Sequence, residues 1–170
     1  NGSGTVTGIS VGGLPDGIVD TDMIAAAAVT APKRGAGAIL QVVSHNLSST
    51  FTTTATSKTD VTGMSKAITP SAASSKIKVT FSFDYDIEEN SDSNVLGFVY
   101  INRQVASGSD SDIAGIALGA RNVGAGNEYN GSAIITLDSP SYSLGDAITY
   151  KMRCENYSSG STNIGILKAV

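Results

Sequence analysis

The sequence predicts an all-β chain, a jelly-roll-like antiparallel β-sandwich preceded by a short N-terminal stem that is part extended and part helical. Apolar residues recur at every second position, most clearly from Ile77 to Ile87, which is the period of a half-buried strand and not of a helix. Clusters of Gly, Ser, Asn and Asp interrupt the chain about every ten to fifteen residues, the spacing of a many-stranded sandwich. The 19 Gly, the lack of Trp and the mere four Phe also suit short strands joined by turns. At 170 residues, 41% hydrophobic and 15% charged, the chain can fill one core and carries too little charge to stay disordered.

Composition changes near residue 35. It divides the chain into a linker and short-helix stem, residues 1–35, and a β-sandwich head, residues 36–170. Residues 1–13 are mostly Gly, Ser, Thr and Val without periodicity, and cannot offset their ordering entropy unless a neighbour covers them. Pro15-Asp16-Gly17 reads as a turn, and Asp20 or Thr21 caps a helix of about two turns through Ala28, stopped before Pro32. A helix this short is marginal alone. Ile18, Val19, Met23, Ile24 and Val29 have nothing in their own segment to bury them, so they need the following domain or the same segment of other copies. Because the chain opens without Met on a Gly/Ser/Thr-rich stretch, it reads as the end of a longer polypeptide.

From Gly35 onward the pattern switches to period two. Strands are expected at Ala38–Ser44, Thr50–Thr56, Ser65–Thr69, Lys76–Ile87, Val95–Gln104, Ile113–Arg121, Tyr129–Leu137, Ala147–Glu155 and Asn163–Ala169. In Lys76–Ile87 the side chains of Ile77, Val79, Phe81, Phe83, Tyr85 and Ile87 take one face and Lys78, Thr80, Ser82, Asp84 and Asp86 the other, which suits an antiparallel sheet wet on one side. Val95–Ile101 is apolar on both faces, as expected of a central strand or of one whose outer face meets another chain. Breakers at 90–94, 107–112, 124–127, 139–145 and 158–161 separate these runs.

Charge and composition exclude several partners. The net charge is −4 and the eleven Lys and Arg are scattered singly, so no basic stripe exists to neutralise phosphates and nucleic acid is not expected. No apolar run approaches the roughly 18–20 residues of a spanning helix, and the N-terminus lacks the pattern of a signal peptide, so no membrane insertion is expected. Cys154 stands alone, which excludes an intrachain disulfide and reads as a buried free thiol.

Catalytic apparatus is sparse. His45 is the single histidine, and no nucleophile elbow or catalytic cysteine setting accompanies it, so a strand-end residue is the better reading. One His and one Cys far apart supply no zinc-ligand spacing, and no metal or other cofactor is expected. Carboxylates cluster at Asp84, Asp86, Glu88, Glu89 and Asp92 and again at Asp110 and Asp112. Such loops can hold Ca²⁺, and paired carboxylates can cut glycosidic bonds, but no calcium-loop pattern is present and charges on a strand's wet face mainly keep it soluble. A sugar-binding surface uses exposed aromatic, amide and carboxylate side chains on a rigid sandwich. Asp92, Asn94, Asp110, Asp112, Tyr129, Asn130, Tyr142 and Tyr157 are of these types, with half-buried packing the alternative for each Tyr.

One stretch is familiar. ILQVVSHNLSSTFTTTATSKTDVTGMSKAITPSAASSKIKV resembles the start of a C-terminal domain of tail fibre proteins of marine bacteriophages, especially those infecting cyanobacteria. The likeness rests on Gln41-Val42-Val43, Thr52-Thr53-Thr54, Thr59-Asp60-Val61-Thr62-Gly63, Ile68-Thr69-Pro70 and Ser74-Ser75-Lys76-Ile77. Ile101-Asn102-Arg103, Leu137-Asp138-Ser139-Pro140 and Ile148-Thr149-Tyr150 extend it over about residues 36–170. The segment DGIVDTDMIAAAAVTAPKRGAGAILQVV is similar to the stem that leads into such domains, although only one copy of the stem unit is present. The resemblance implies a non-enzymatic virion protein, the distal domain of a homotrimeric tail fibre that attaches to a host-surface receptor such as lipopolysaccharide. Three copies would then share Ile18, Val19, Met23, Ile24 and Val29. The alternative is a capsid-decorating or head fibre, a structural appendage without receptor binding. A polysaccharide-degrading tailspike would need an acidic pair in a groove.

Overall fold

The computed structural model describes residues 33–35, 37–89, 95–120, 126–157 and 163–167. The expected stem helix, with Ile18, Val19, Met23, Ile24 and Val29, lies outside the described residues, as do Asp92 and Asn94. The chain divides into two compact units, Asn1–Ala38 and Ile39–Val170, and the second holds all the strands described here.

Among the described residues eight strands form in chain order: β1 Phe51–Thr53, β2 Thr59–Ile68, β3 Ile77–Glu89, β4 Val95–Val105, β5 Ser111–Ala120, β6 Gly126–Asp138, β7 Ile148–Asn156 and β8 Asn163–Leu167. They make two four-stranded sheets, one ordered β1-β8-β3-β6 and the other β2-β7-β4-β5. Each strand of the first half pairs antiparallel with its mirror in the second half: β1 with β8, β2 with β7, β3 with β6 and β4 with β5. A long antiparallel ribbon wound in this way is a jelly roll, an all-β sandwich. Every ladder is antiparallel.

Period-two alternation explains why these residues form strands. In β7, Ile148, Tyr150, Met152, Cys154 and Asn156 are buried while the residues between them are half-buried. In β3, Val79, Phe83, Tyr85 and Ile87 point inward and Lys78, Thr80, Ser82 and Asp84 outward. The core lies between the sheets and is built around Ile87, Val99, Ile101, Ile148, Met152, Cys154, Ile164 and Ile166, all fully buried. At about 1.5–3 kcal/mol per buried large aliphatic side chain, this cluster is the principal driving force for the wrap.

Two irregularities matter for what the sheets present. In β2, Asp60 faces Arg153 and Ser65 faces Lys151, so Val61–Met64 bulge opposite Met152. Gly63 takes φ +87° there, a conformation that costs Gly nothing. The bulge turns both Val61 and Met64 into the core. In β5, Ala114 faces Ile101 and Asp112 faces Asn102, which leaves Ile113 as the extra residue. That bulge sends Asp112 to the outer face.

The strand expected at Ala38–Ser44 does not form. Ile39 and Val42 are each 79% exposed, and no strand among the described residues pairs with them. Leu47 is the first residue of this segment to enter the core. Further along, Thr59–Ser65 joins β2, which begins six residues before the expected start at Ser65. The bulge at Val61–Met64 breaks the period-two signal there, and so conceals the first half of the strand from sequence.

A buried ion pair closes one end of the sandwich. Asp138, 8% exposed, accepts hydrogen bonds from Arg103 Nη1 at 2.8 Å and from the Tyr150 hydroxyl at 2.7 Å. It thereby links β6 of one sheet to β4 and β7 of the other.

Candidate functional site

The outer face of the β2-β7-β4-β5 sheet gathers the most chemistry. Cross-strand register sets the rows: Asp60, Arg153, Tyr100 and Gly115 lie side by side, and the next outward row holds Glu155, Phe98 and Ala117. Gly115 matters sterically, because a Cβ there would lie 2.7 Å from Tyr100 Cδ1. Only Gly lets the Tyr100 ring rest against β5.

The aromatic part is a step of three rings. Phe98 and Tyr100 are parallel to within 24° at a centroid distance of 6.1 Å, and Tyr157 meets Phe98 nearly edge-on, at 85° and 5.7 Å. Tyr157 is 70% exposed, yet it is anchored twice, by that ring contact and by its backbone N–H donating to Leu96 O at 2.8 Å. Such edge-to-face pairs contribute about 0.5–1.5 kcal/mol beyond area burial.

The polar part is an ordered lattice. Lys58 Nζ sits 2.7 Å from Asp112 Oδ2 and 4.1 Å from the Tyr100 ring centroid, a combined ion pair and cation–π contact. Asn102, fully buried, donates to Asp112 Oδ1 at 2.8 Å. Arg153 Nε lies 2.9 Å from Asp60 Oδ1 as an ion pair without hydrogen-bond alignment. Lys151 Nζ reaches Asp110 at 3.2 Å and Asp60 at 3.4 Å. The Tyr100 hydroxyl donates to Glu155 Oε1 at 2.6 Å.

These contacts set the charge states. Burial pushes the Asp112 carboxyl up, but hydrogen bonds from Lys58 and Asn102 and the charges of Lys58 and Arg153 outweigh it and hold the group below its usual range. Burial works against the charged form of Lys151, and its hydrogen bond to Asp110 and the Asp60 and Asp110 charges more than compensate, so its pKa rises. Burial and the bond to Glu155 push the Tyr100 phenol up to about 12.

Of the residues singled out from sequence, Asp110, Asp112 and Tyr157 come together on this face. Tyr129 projects from the outer face of the other sheet, in register with Asp86 and 65% exposed. Asn130 follows it in β6 and donates to Glu128 Oε1 at 2.9 Å. Tyr142 is engaged elsewhere: its hydroxyl donates to Ala72 O at 2.7 Å and accepts from the Ser75 N–H at 2.8 Å, pinning the loop between β2 and β3. His45 donates from Nε2 to Gly63 O at 2.8 Å, which ties the segment before β1 to the bulge of β2. Among the described residues no group of three or more His, Cys, Asp or Glu side chains is placed to hold a metal ion.

Sequence reasoning missed Lys58, Phe98, Tyr100, Lys151, Arg153 and Glu155. One signal for two of them was present. The two-sided apolar run Val95–Ile101 places Phe98 and Tyr100 outward once Val99 and Ile101 take the core. Comparison with known proteins finds no matching family model, no matching curated protein and no matching solved structure. What the fold and this face define is a jelly-roll module with an aromatic and internally paired polar surface on one sheet.

Proposed function

We propose that this chain is a non-enzymatic structural component of a phage virion, the distal domain of a homotrimeric tail fibre, and that it attaches the particle to a glycan on the host surface. The observation that carries the attachment is the outer face of the β2-β7-β4-β5 sheet, where the exposed Tyr157 ring stands beside polar groups already held in place by their neighbours. A surface whose side chains are ordered before binding loses less entropy on association than a mobile one. The sequence resemblance over about residues 36–170 supplies the virion setting. Support for assembly comes from the exposed Ile39, Val42, Ile135 and Leu137, apolar surface that neighbouring subunits would cover.

Competition for adsorption tests this function. The purified protein should label host cells and slow phage adsorption in a dose-dependent way, and light scattering should give three times the chain mass. Soluble trimer that neither labels cells nor competes would refute attachment and favour the appendage without receptor binding, on the tail or on the capsid surface.

A further inference from the structure

Taking the attachment reading as given, we infer that Tyr157 and Glu155 form the subsite for one uncharged sugar ring of the receptor, with acidic sugars excluded. Three features of the face point to this ligand. First, Tyr157 presents an aromatic ring at 70% exposure in an orientation fixed by Phe98 and by the Leu96 carbonyl. A fixed, exposed ring offers a flat apolar surface to the C–H face of a pyranose, at the low entropic cost typical of Tyr at binding surfaces.

Second, Glu155 lies two residues before Tyr157 and is the cross-strand partner of Phe98, against which the Tyr157 ring packs. Alternate residues on one face of a strand are about 6.5–7 Å apart, roughly the span from the centre of a stacked sugar ring to a carboxylate accepting from its hydroxyl edge. Glu155 is held ready by the Tyr100 hydroxyl, which bonds Oε1.

Third, the charges around this corner are committed to one another. Lys58 is engaged with Asp112 and the Tyr100 ring, Arg153 with Asp60, and Lys151 with Asp110 and Asp60. An anionic ligand would have to break one of these pairs to find a cation, and it would meet the Glu155 carboxylate first. Hydroxyl groups need neither. A neutral sugar is the class that exploits the ring and the carboxylate without disturbing the lattice.

The test uses the full chain and saturation-transfer NMR with methyl glucoside, methyl galactoside and glucuronic acid as probes. At least one neutral glycoside should bind and glucuronic acid should not. Tyr157→Ala should weaken the neutral glycoside about tenfold while Tyr157→Phe retains it, because the ring and not the hydroxyl is used. Glu155→Gln should admit glucuronic acid, a gain that a merely structural role would not produce. Circular dichroism of each variant confirms that the fold is intact. Equal binding of glucuronic acid to the unmodified protein, or an unchanged affinity in a folded Tyr157→Ala, overturns the inference. If adsorption competition persists in Tyr157→Ala, this subsite is wrong while attachment stands. If the glycoside binds at Tyr157 but the protein never competes for adsorption, the attachment function is wrong and the subsite stands.

Discussion

Asp138→Ala should be among the most destabilising single substitutions in the sandwich. The carboxylate is 8% exposed and accepts from Arg103 Nη1 at 2.8 Å and Tyr150 Oη at 2.7 Å. Its removal leaves the Arg103 guanidinium, 24% exposed, without a counter-charge and the Tyr150 hydroxyl without an acceptor. Breaking a buried pair from one side costs about 3–5 kcal/mol. Residual exposure of Arg103 pulls the figure to the lower end, and the orphaned Tyr150 hydroxyl adds about 1 kcal/mol. A loss of about 3–4 kcal/mol is expected, which for a unit of about 130 residues lowers Tm by roughly 11–15 °C. Urea unfolding followed by far-UV circular dichroism measures it, with an unchanged m-value showing that the midpoint shift reflects stability. Asp138→Asn keeps an acceptor for Tyr150 and should lose less. A shift below about 1 kcal/mol for Asp138→Ala would refute the role assigned to this pair in joining the two sheets.

Gly165→Ala would drive a Cβ into the Asp86 carboxylate, so it should cost about 1–3 kcal/mol by overpacking, and the cost should vanish in an Asp86→Ala background when both are measured by urea unfolding. Burial, and secondarily the Glu155 carboxylate, pushes the Cys154 thiol up to about 12. At pH 8 a disulfide reagent should therefore label it only as fast as the unit unfolds; rapid labelling of native protein would contradict its burial. Burial and the bond to Asp138 raise the Tyr150 phenol far above its ordinary 10.0, and Tyr100 rises to about 12. Groups whose folded pKa is raised contribute stability that is fully present below the unfolded value and lost above it. The urea midpoint should hold up to about pH 9, begin to fall as the Cys154 thiol of the unfolded chain ionises, and fall further between pH 10 and 12 as the phenols follow, less steeply there in Tyr150→Phe.

Much of the sandwich was readable from local pattern. The alternation from Ile77 to Ile87 marks β3 because one face of a strand must be dry and the other wet, and each residue reports its own side. Five other runs appear as strands within two residues of the expected start for the same reason. Local pattern failed at Ala38–Ser44, where strand-like residues find no partner strand among the described residues, and at the first half of β2, where a bulge with Gly63 at positive φ broke the period.

The candidate site was legible only in part, and for a different reason. Asp110, Asp112 and Tyr157 have the right side chains, and so do Tyr129 and Tyr142, but nothing local separates the first three from the other two. Lys58 and Asp112 are 54 residues apart in the chain, and Asp60 meets Arg153 only because β2 pairs with β7.

Residue type and period two therefore set the strands, the turns and which side chains face inward, since these depend on neighbours one or two positions away. The order β1-β8-β3-β6 and β2-β7-β4-β5, and with it the company each outward side chain keeps, came from pairing between distant strands. That pairing is settled by which wrap lets both inner faces share one core, an energy that no short stretch of sequence contains.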